Sequence, residues 1–416
     1  MDLPQIELTR FILMLSDALE LAAPGMALHQ TKTAFIALRI AQSLNLPRTR
    51  KRDLVYAALL HDIGALSPEE KIELHSPNPA LIASHCRNGE IVLSRVAIFE
   101  RAARLVGAHH SDWKDTGKAG GDEAFDANII ALADVAELST NRNSYILKQR
   151  EKIAARIAAG RGSNFCPELV DAFTEAGRGE EFWLELASPR LTYDFAGEER
   201  FVEYYASIGE FAEISALVRD IIDFRSTFTA THSSGVAAAA SMMGSLIGYS
   251  TKENLALAIA GNLHDIGKMA IPNAILLKPS ALDPDENALM HQHPFQTKVV
   301  LSRSGLPNFI IEWASYHHER LDGEGYPFAL SETDIGLGAR ILSVADVLTA
   351  LAEDRPYRNA LSRANVMTTM RAEASGGHLE PGLVDLVAGS YVKIEEAMVD
   401  AQRDAAEFYA TRLKAS

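Results

Sequence analysis

The sequence predicts an all-α protein built from two tandem, related helical domains, and three observations carry that expectation. Apolar residues fill 47% of the 416 positions and charged residues 23%, with no Gly/Ser-rich or Pro-rich tract, so the chain should fold nearly throughout. Stretches such as Leu54 to Leu60, Asn254 to Leu263 and Ala339 to Leu351 are rich in Ala and Leu and lack the alternation of a half-buried strand. One ordered series of histidines and aspartates occurs twice, as a tandem duplication would leave it.

Turn-forming residues divide the chain. Breaks are expected at Asn45-Leu46-Pro47, Ser76-Pro77-Asn78-Pro79, Asp115 to Asp122 and Ser188 to Gly197, where Gly, Pro, Asn and Asp concentrate. The last separates a first domain, residues 1–195, from a second, residues 206–416, with a helix from about Glu198 to Arg225 bridging them.

Composition excludes several classes of function. A net charge of −15 leaves no broad basic surface for DNA or RNA, although a small anion could still bind beside metal ions or converging basic side chains. No apolar run approaches the roughly 20 residues that cross a bilayer, and Met1 to Arg10 lacks the pattern of a secretion signal, so the expected location is cytoplasmic. The two cysteines, Cys86 and Cys166, have no paired metal-binding spacing and read as buried thiols.

The repeated series carries the chemistry. In the second half it runs His232, His264-Asp265, His293, His317-His318, Asp346; in the first it runs His29, His61-Asp62, His85, His109-His110, Asp134. The first interval is 32 residues in both halves, and the interval from the lone third His to the His pair is 24 in both. The other intervals differ by a few residues, as loop insertions allow. Leu93-Ser94-Arg95 answers Leu301-Ser302-Arg303, and Ala133-Asp134-Val135 answers Ala345-Asp346-Val347.

Imidazole and carboxylate together suit zinc, iron, manganese, nickel or copper, and a carboxylate can bridge two ions. Adjacent His264 and Asp265 then make sense as a ligand and a bridging ligand, facing one cavity from between their directions on a helix. An economical arrangement gives His232, His264, Asp265 and Asp346 to one ion and Asp265, His293, His317 and His318 to another. Two such ions can activate a shared water against phosphorus and neutralise the leaving oxygen, which is phosphoester hydrolysis. An isolated His is more often structural than a ligand, but seven ligand candidates in one ordered series point to a site, whereas His291 and His378, outside the series, read as structural.

His264-Asp265-Ile266-Gly267-Lys268, followed by His317-His318-Glu319-Arg320-Leu321-Asp322-Gly323-Glu324-Gly325-Tyr326-Pro327, resembles the signature of the HD-GYP phosphodiesterases. The resemblance runs from about Thr227 to Val387 and includes Asp354-Arg355-Pro356-Tyr357-Arg358 and the Gly377 to Pro381 segment. It implies tandem HD-type helical domains, with a five-helix core, a two- or three-metal centre and hydrolysis of a bacterial cyclic dinucleotide. The second-half series would supply the metal ligands, Asp265 and Lys268 the catalytic groups, and Lys268, Tyr326, Arg355 and Arg358 the substrate contacts. Arginine forks suit phosphate oxygens, and Lys268 follows His264 by one helical turn.

Departures from the pattern refine these expectations. Phe228 stands where three-metal members carry an acid, which predicts two divalent transition ions, among Fe, Mn, Ni and Zn. Thr349 replaces a common Asp, and Thr297 a usual Gly. In the first half Ala65 replaces the lysine, His109-His110-Ser111-Asp112-Trp113 leads into no Gly-Tyr-Pro loop, and the Arg-Pro-Tyr-Arg element has no counterpart. There the seven matching residues are expected to bind metal at most, in a domain that regulates or forms a homodimer. Gly162 to Pro167 resembles Gly377 to Pro381, which would close each domain with a similar helix. The expected substrate is cyclic di-GMP or 3′,3′-cyclic GMP-AMP. Competing readings are a cyclic-dinucleotide-binding module without catalysis and an HD phosphohydrolase acting on another nucleotide.

Overall fold

Helices take up most of the described residues, and the only strands among them are Ile6–Glu7 and Tyr205–Ala206, paired in a two-stranded sheet. The structure is a computed structural model that describes residues 5–21, 27–65, 70, 73, 79–117, 120–192, 204–225, 231–354 and 359–413. It divides into two compact units, one spanning Glu7–Tyr204 and the other Tyr205–Ala415 together with Ile6. Among the described residues no helix is long and apolar enough to cross a membrane.

The first unit contains the helices Leu8–Glu20, His29–Ser43, Arg48–Leu59, Pro79–Leu93, Glu100–Ala108, Gly121–Leu138, Arg150–Ala159, Pro167–Ala176 and Glu180–Leu186. Asn45 adopts a left-handed φ of 53° and Pro47 caps the next helix, so the Asn-Leu-Pro break is a turn. Phe11, Ile12, Ile36, Leu38, Ile40, Leu54 and Tyr56 are fully buried and form the core against which the histidine-bearing helix ends are fixed.

The second unit repeats the order. Its principal helices are Ile208–Asp223, His232–Leu246, Thr251–Leu263, His293–Leu301, Asn308–Ser315, Leu337–Ala352, Arg363–Ser375 and Pro381–Phe408. Ser250 and Glu253 form a capping box on the Thr251–Leu263 helix, satisfying backbone donors that would otherwise be unpaired. The closing helices start alike: Gly162 and Gly377 take φ of 75° and 78°, and Pro167 and Pro381 open the helices that follow.

Two local expectations are corrected. The helix expected from about Glu198 begins at Ile208, because Ser207 and Glu210 form a capping box there and Tyr205–Ala206 is extended; residues 198–203 lie outside the described part. The His-Asp and His-His pairs do not lie within helices. His264 caps the C-terminus of Thr251–Leu263 and Asp265 leaves the helix at φ −96°, ψ 8°, while His317 and His318 follow Asn308–Ser315 and its cap Tyr316. Leaving the helix turns both members of each pair toward one cavity. Lys268 accordingly sits on the 3₁₀ turn Ile266–Ala270 and reaches the site from there rather than one α-helical turn on.

Candidate metal centre and its counterpart

The second-unit series converges. His232 and His293 open their helices, His264 and His317 follow helix ends, and Asp346 projects from the middle of Leu337–Ala352. With Asp265, Lys268, His318 and Tyr326 they line a cavity of about 480 Å³, within the range of small-ligand sites.

Backbone acceptors orient three of the imidazoles. Nδ1 of His264 donates to the Gly261 carbonyl (2.8 Å), Nδ1 of His293 to Met290 (2.8 Å) and Nδ1 of His317 to Ala314 (2.7 Å). Because a carbonyl can only accept, each Nδ1 carries the proton, and each ring in its neutral form turns a lone pair at Nε2 inward. Yet Nε2 of His293 and Nε2 of His317 lie 3.2 Å apart. Two facing lone pairs repel unless a cation stands against both, so the donor set fits a metal ion. Burial keeps the facing pair and His318 neutral, pushing His293 down to about 3, His318 to about 4 and His317 well below its usual value, whereas Asp265 overrides burial and raises His264.

The carboxylates complete the fit. Oδ2 of Asp265 lies 3.3 Å from Nε2 of His264, and Oδ1 lies 3.5 Å from Nε2 of His293, so its two oxygens face different imidazoles, as a bridging ligand requires. Lys268 Nζ pairs with Oδ2 at 2.5 Å. Although burial opposes ionisation of both aspartates, neighbouring His264 and Lys268 hold Asp265 well below the carboxylate range, and His232 does the same for Asp346. Burial would lower His232, but Glu353 and Asp346 overrule it and push the ring up to about 10. His232 spans the two, with Nε2 2.9 Å from Asp346 Oδ1 and Nδ1 2.9 Å from Glu353 Oε1. A metal at Nε2 would displace one proton and leave the other directed at Glu353.

Tight packing fixes the frame. A Cβ on Gly267 would stand 1.9 Å from the His293 carbonyl oxygen, so the turn admits glycine alone. Thr297, the departure from the usual Gly, ties two backbone segments together, since its hydroxyl donates to the His264 carbonyl (2.7 Å) and accepts from the Gly267 N–H (3.1 Å). Thr349 turns its hydroxyl back to the Ala345 carbonyl (2.8 Å) and does not replace the missing carboxylate. Buried Glu319 accepts from the N–H groups of Phe328 (2.7 Å) and Leu330 (2.8 Å) and so holds the Gly-Tyr-Pro loop over the cavity. Gly325 permits that loop's approach, since a Cβ there would lie 2.4 Å from the Arg320 nitrogen. His291 is not merely structural filler: its ring stacks on Tyr326 at 3.9 Å, and Tyr326 stacks in turn on His318 at 4.9 Å. His378 pairs with Glu373 and lies 3.5 Å from Asp322, on the same loop. Arg355, Arg358 and Phe228 lie outside the described residues.

The first unit reproduces the arrangement. His61 Nδ1 donates to Ala58 (2.8 Å) and His109 Nδ1 to Val106 (2.6 Å), while His85 and His109 face each other Nε2 to Nε2 at 3.3 Å. Asp62 divides its oxygens likewise, Oδ2 at 3.3 Å from His61 and Oδ1 at 3.8 Å from His85. Oδ1 of Asp134 lies 3.4 Å from His29 Nε2 and 3.9 Å from His61 Nε2. His110 stands against both His85 and His109, with ring centroids 5.1 and 4.2 Å away. Gly89 holds the place of Thr297: a Cβ on Gly64 would lie 2.4 Å from its nitrogen. After the His pair the chain enters the short helix Trp113–Thr116 instead of a Tyr-Pro loop.

Sequence reasoning missed two carboxylates and one thiol. Glu353 and Glu137 each accept the Nδ1 proton of the first histidine, Glu137 from His29 at 2.7 Å. Glu137 follows Asp134 by three residues, a helical spacing that could have revealed it, whereas Glu353 lies beyond the end of its helix. Both cysteines are buried as expected, but Cys86 Sγ lies 3.7 Å from His85 Nε2 and 3.6 Å from His109 Nδ1.

Comparison with known proteins agrees with this arrangement. The sequence profile of the HD domain family matches residues 13–159 and again 216–383. The chain is 28% identical over 373 residues to the 3'3'-cGAMP-specific phosphodiesterase 1 of Vibrio cholerae, covering 86% of each protein. It is 34% identical over 208 residues to a cyclic di-GMP phosphodiesterase of Thermotoga maritima, covering 50% of this chain and 54% of the relative. A crystal structure of a cyclic GMP-AMP phosphodiesterase of V. cholerae, V-cGAP3, superposes with a TM-score of 0.62 at 20% identity over 96% of this chain and 98% of the other, which establishes the shared fold.

Proposed function

Because the chain belongs to the HD domain family, matched once in each half, we propose that its second unit is a metal-dependent phosphodiesterase that opens a cyclic dinucleotide to the linear form, with 3′,3′-cyclic GMP-AMP as the preferred substrate. The observation that carries this reading is the set of inward Nε2 lone pairs around a split Asp265 carboxylate, at the base of a cavity that also presents Lys268 and Tyr326. The substrate preference rests on coverage. The relative specific for 3'3'-cGAMP matches along most of the chain, whereas the cyclic di-GMP relative matches over half of it.

Charge explains why the site needs cations. Asp265, Asp346 and Glu353 outweigh Lys268 and the protonated His232, and the floor would repel a phosphodiester. Two divalent ions would reverse that sign; when bound they act as Lewis acids and lower the pKa of water near the phosphorus. His232, His264, Asp265 and Asp346 would hold one, and Asp265, His293, His317 and His318 the other. Lys268 supplies a fixed positive charge and N–H donors to a phosphate oxygen, since the anionic Asp265 beside it overrides burial and keeps its pKa raised. Tyr326, held between two rings, presents a nucleobase or ribose with a fixed edge and hydroxyl. Arg355 and Arg358 are proposed as further phosphate contacts. The first unit lacks the lysine and the tyrosine loop, and we assign it a regulatory or dimerising role.

Turnover of 3′,3′-cyclic GMP-AMP and cyclic di-GMP by metal-reconstituted wild type, beside His264→Ala with Asp265→Ala, tests the reading. Hydrolysis by wild type alone, faster with the mixed dinucleotide, is expected. Tight binding without turnover by the metal-loaded wild type would replace the enzyme with a binding module.

A further inference from the structure

We propose that the first unit holds a transition-metal centre of its own, in which the Cys86 thiolate joins the imidazoles of His85, His109 and His110. The four donor atoms lie within 4.8 Å of one another, and all four residues except His110 are buried. A buried thiol beside two rings could be mere packing, but the cluster around it is not arranged as packing. Nε2 of His85 and Nε2 of His109 face each other at 3.3 Å while their Nδ1 atoms point at the Leu81 and Val106 carbonyls. Rings placed only to fill a core would turn one nitrogen to donate to the other, whereas here the geometry presents lone pairs to a common point.

A second, independent observation lies on the far side of the cluster. Asp134 is buried, and its Oδ1 has no hydrogen-bond partner although it lies 3.4 Å from His29 Nε2. A buried carboxylate oxygen left without a hydrogen bond is destabilising, and a cation there would offset that cost. His29, His61 and Asp62 form a further group of donors next to it. Asp62 faces both groups, Oδ2 toward His29 (3.6 Å) and His61, and Oδ1 toward His85.

Donor chemistry narrows the ion. The second unit offers nitrogen and oxygen alone, and Cys86 adds sulfur in the first. Thiolate with imidazole favours zinc, iron(II) or cobalt(II) over magnesium, calcium or manganese. The two halves of a duplicated chain would then have diverged in metal as well as in role. With Ala65 in place of the lysine and a helix in place of the tyrosine loop, the first centre lacks the counterparts of Lys268 and Tyr326, so its ion would organise the fold instead of catalysing.

Cobalt(II) loading of the full chain tests this without any assay of turnover. The chain has two cysteines, so a sulfur-to-cobalt charge-transfer absorption in the near ultraviolet can come from few sources. The expected result is an absorption that Cys86→Ser abolishes and Cys166→Ser leaves intact. Cobalt should also stay bound to the folded His264→Ala, Asp265→Ala variant, and its sulfur absorption should be lost when His85→Ala and His109→Ala are added. Absence of the sulfur absorption in cobalt-loaded wild type, or its persistence in Cys86→Ser, overturns the thiolate ligand. Should the second-unit variant fail to fold, the comparison of the two cysteine variants in an otherwise wild-type chain still decides the matter.

Discussion

Glu353 accepts the Nδ1 proton of His232 across 2.9 Å, from a position just past the helix that carries Asp346. In the first unit Glu137 does the same for His29 from within the helix of Asp134. A carboxylate behind a metal-binding imidazole fixes the tautomer and makes the ring a better donor, and losing one weakens metal affinity about 10–100-fold. Glu353→Ala should therefore lower affinity for the second-unit ions by that factor while Glu353→Gln, which can still accept the Nδ1 proton, loses less. Competition against a chelator of known strength measures both. Equal losses in the two variants would mean that Glu353 acts through charge alone.

Gly267→Ala should be among the most damaging single substitutions in the second unit. Its Cβ would meet backbone at the His293 carbonyl and the Thr297 nitrogen, neither of which can swing aside as a side chain could. Overpacking typically costs about 1–3 kcal/mol and here would also displace His293 from Asp265. Denaturant midpoints and metal content should fall together; Gly64→Ala should do the same in the first unit. An unchanged midpoint for either would contradict the close approach.

Acid should destabilise the metal-loaded protein more steeply than the metal-free one. Burial lowers His293 to about 3 and His318 and His61 to about 4, against about 6.5 in the unfolded chain, so between those values the unfolded state binds more protons. These rings lower stability as pH drops below about 6.5, whereas the buried carboxyls of Asp134 and Asp223, raised to about 7, raise it over the same range. His232 also has the opposite sign: raised to about 10, its contribution is complete below about 6.5 and is lost as pH rises from there through 10, so it too offsets the acid loss until a metal at Nε2 removes its extra proton. Urea midpoints at pH 7.5 and 5.5 should therefore fall more steeply for the metal-loaded protein than for the chelated one, because every bound ring excludes a proton that the unfolded chain takes up. Equal slopes with and without metal would show that His232 keeps its extra proton and is no ligand.

The donors were legible in the sequence because a duplication writes the same pattern twice, and spacings such as His29 to His61 and His232 to His264 survive while the loops between vary. The Gly162 and Gly377 closures were legible for a different reason, since positive φ before a helix-opening proline leaves a residue signature. What could not be read was contact across the fold. Glu353 has no fixed helical spacing from His232, Thr297 acts on a backbone 30 residues away, and Cys86 gains meaning only when His109 packs beside it. The place where each His-Asp pair leaves its helix was hidden too, because the apolar pattern of Asn254 to Leu263 continues without a breaker into His264.

His291 offers the sharpest test of how Tyr326 works. The ring lies parallel to Tyr326, with 1° between planes, on the face opposite His318, and its Nε2 is 3.3 Å from the Asn287 amide. Tyr326 is thus held from both sides, and only one of those sides is a candidate metal ligand. Removing the outer ring should loosen the tyrosine without touching the ions. An aromatic pair contributes about 0.5–1.5 kcal/mol, which corresponds to a loss of about 2–10-fold in kcat/KM for His291→Ala. His291→Phe, which keeps a stacking face but no ring nitrogen, should recover most of that loss, and metal content should be the same in both variants. Should His291→Phe be as slow as His291→Ala, the ring nitrogen and not the stack would be what the site needs. Should His291→Ala lose metal, the outer ring would be supporting His318 and not the substrate contact of Tyr326.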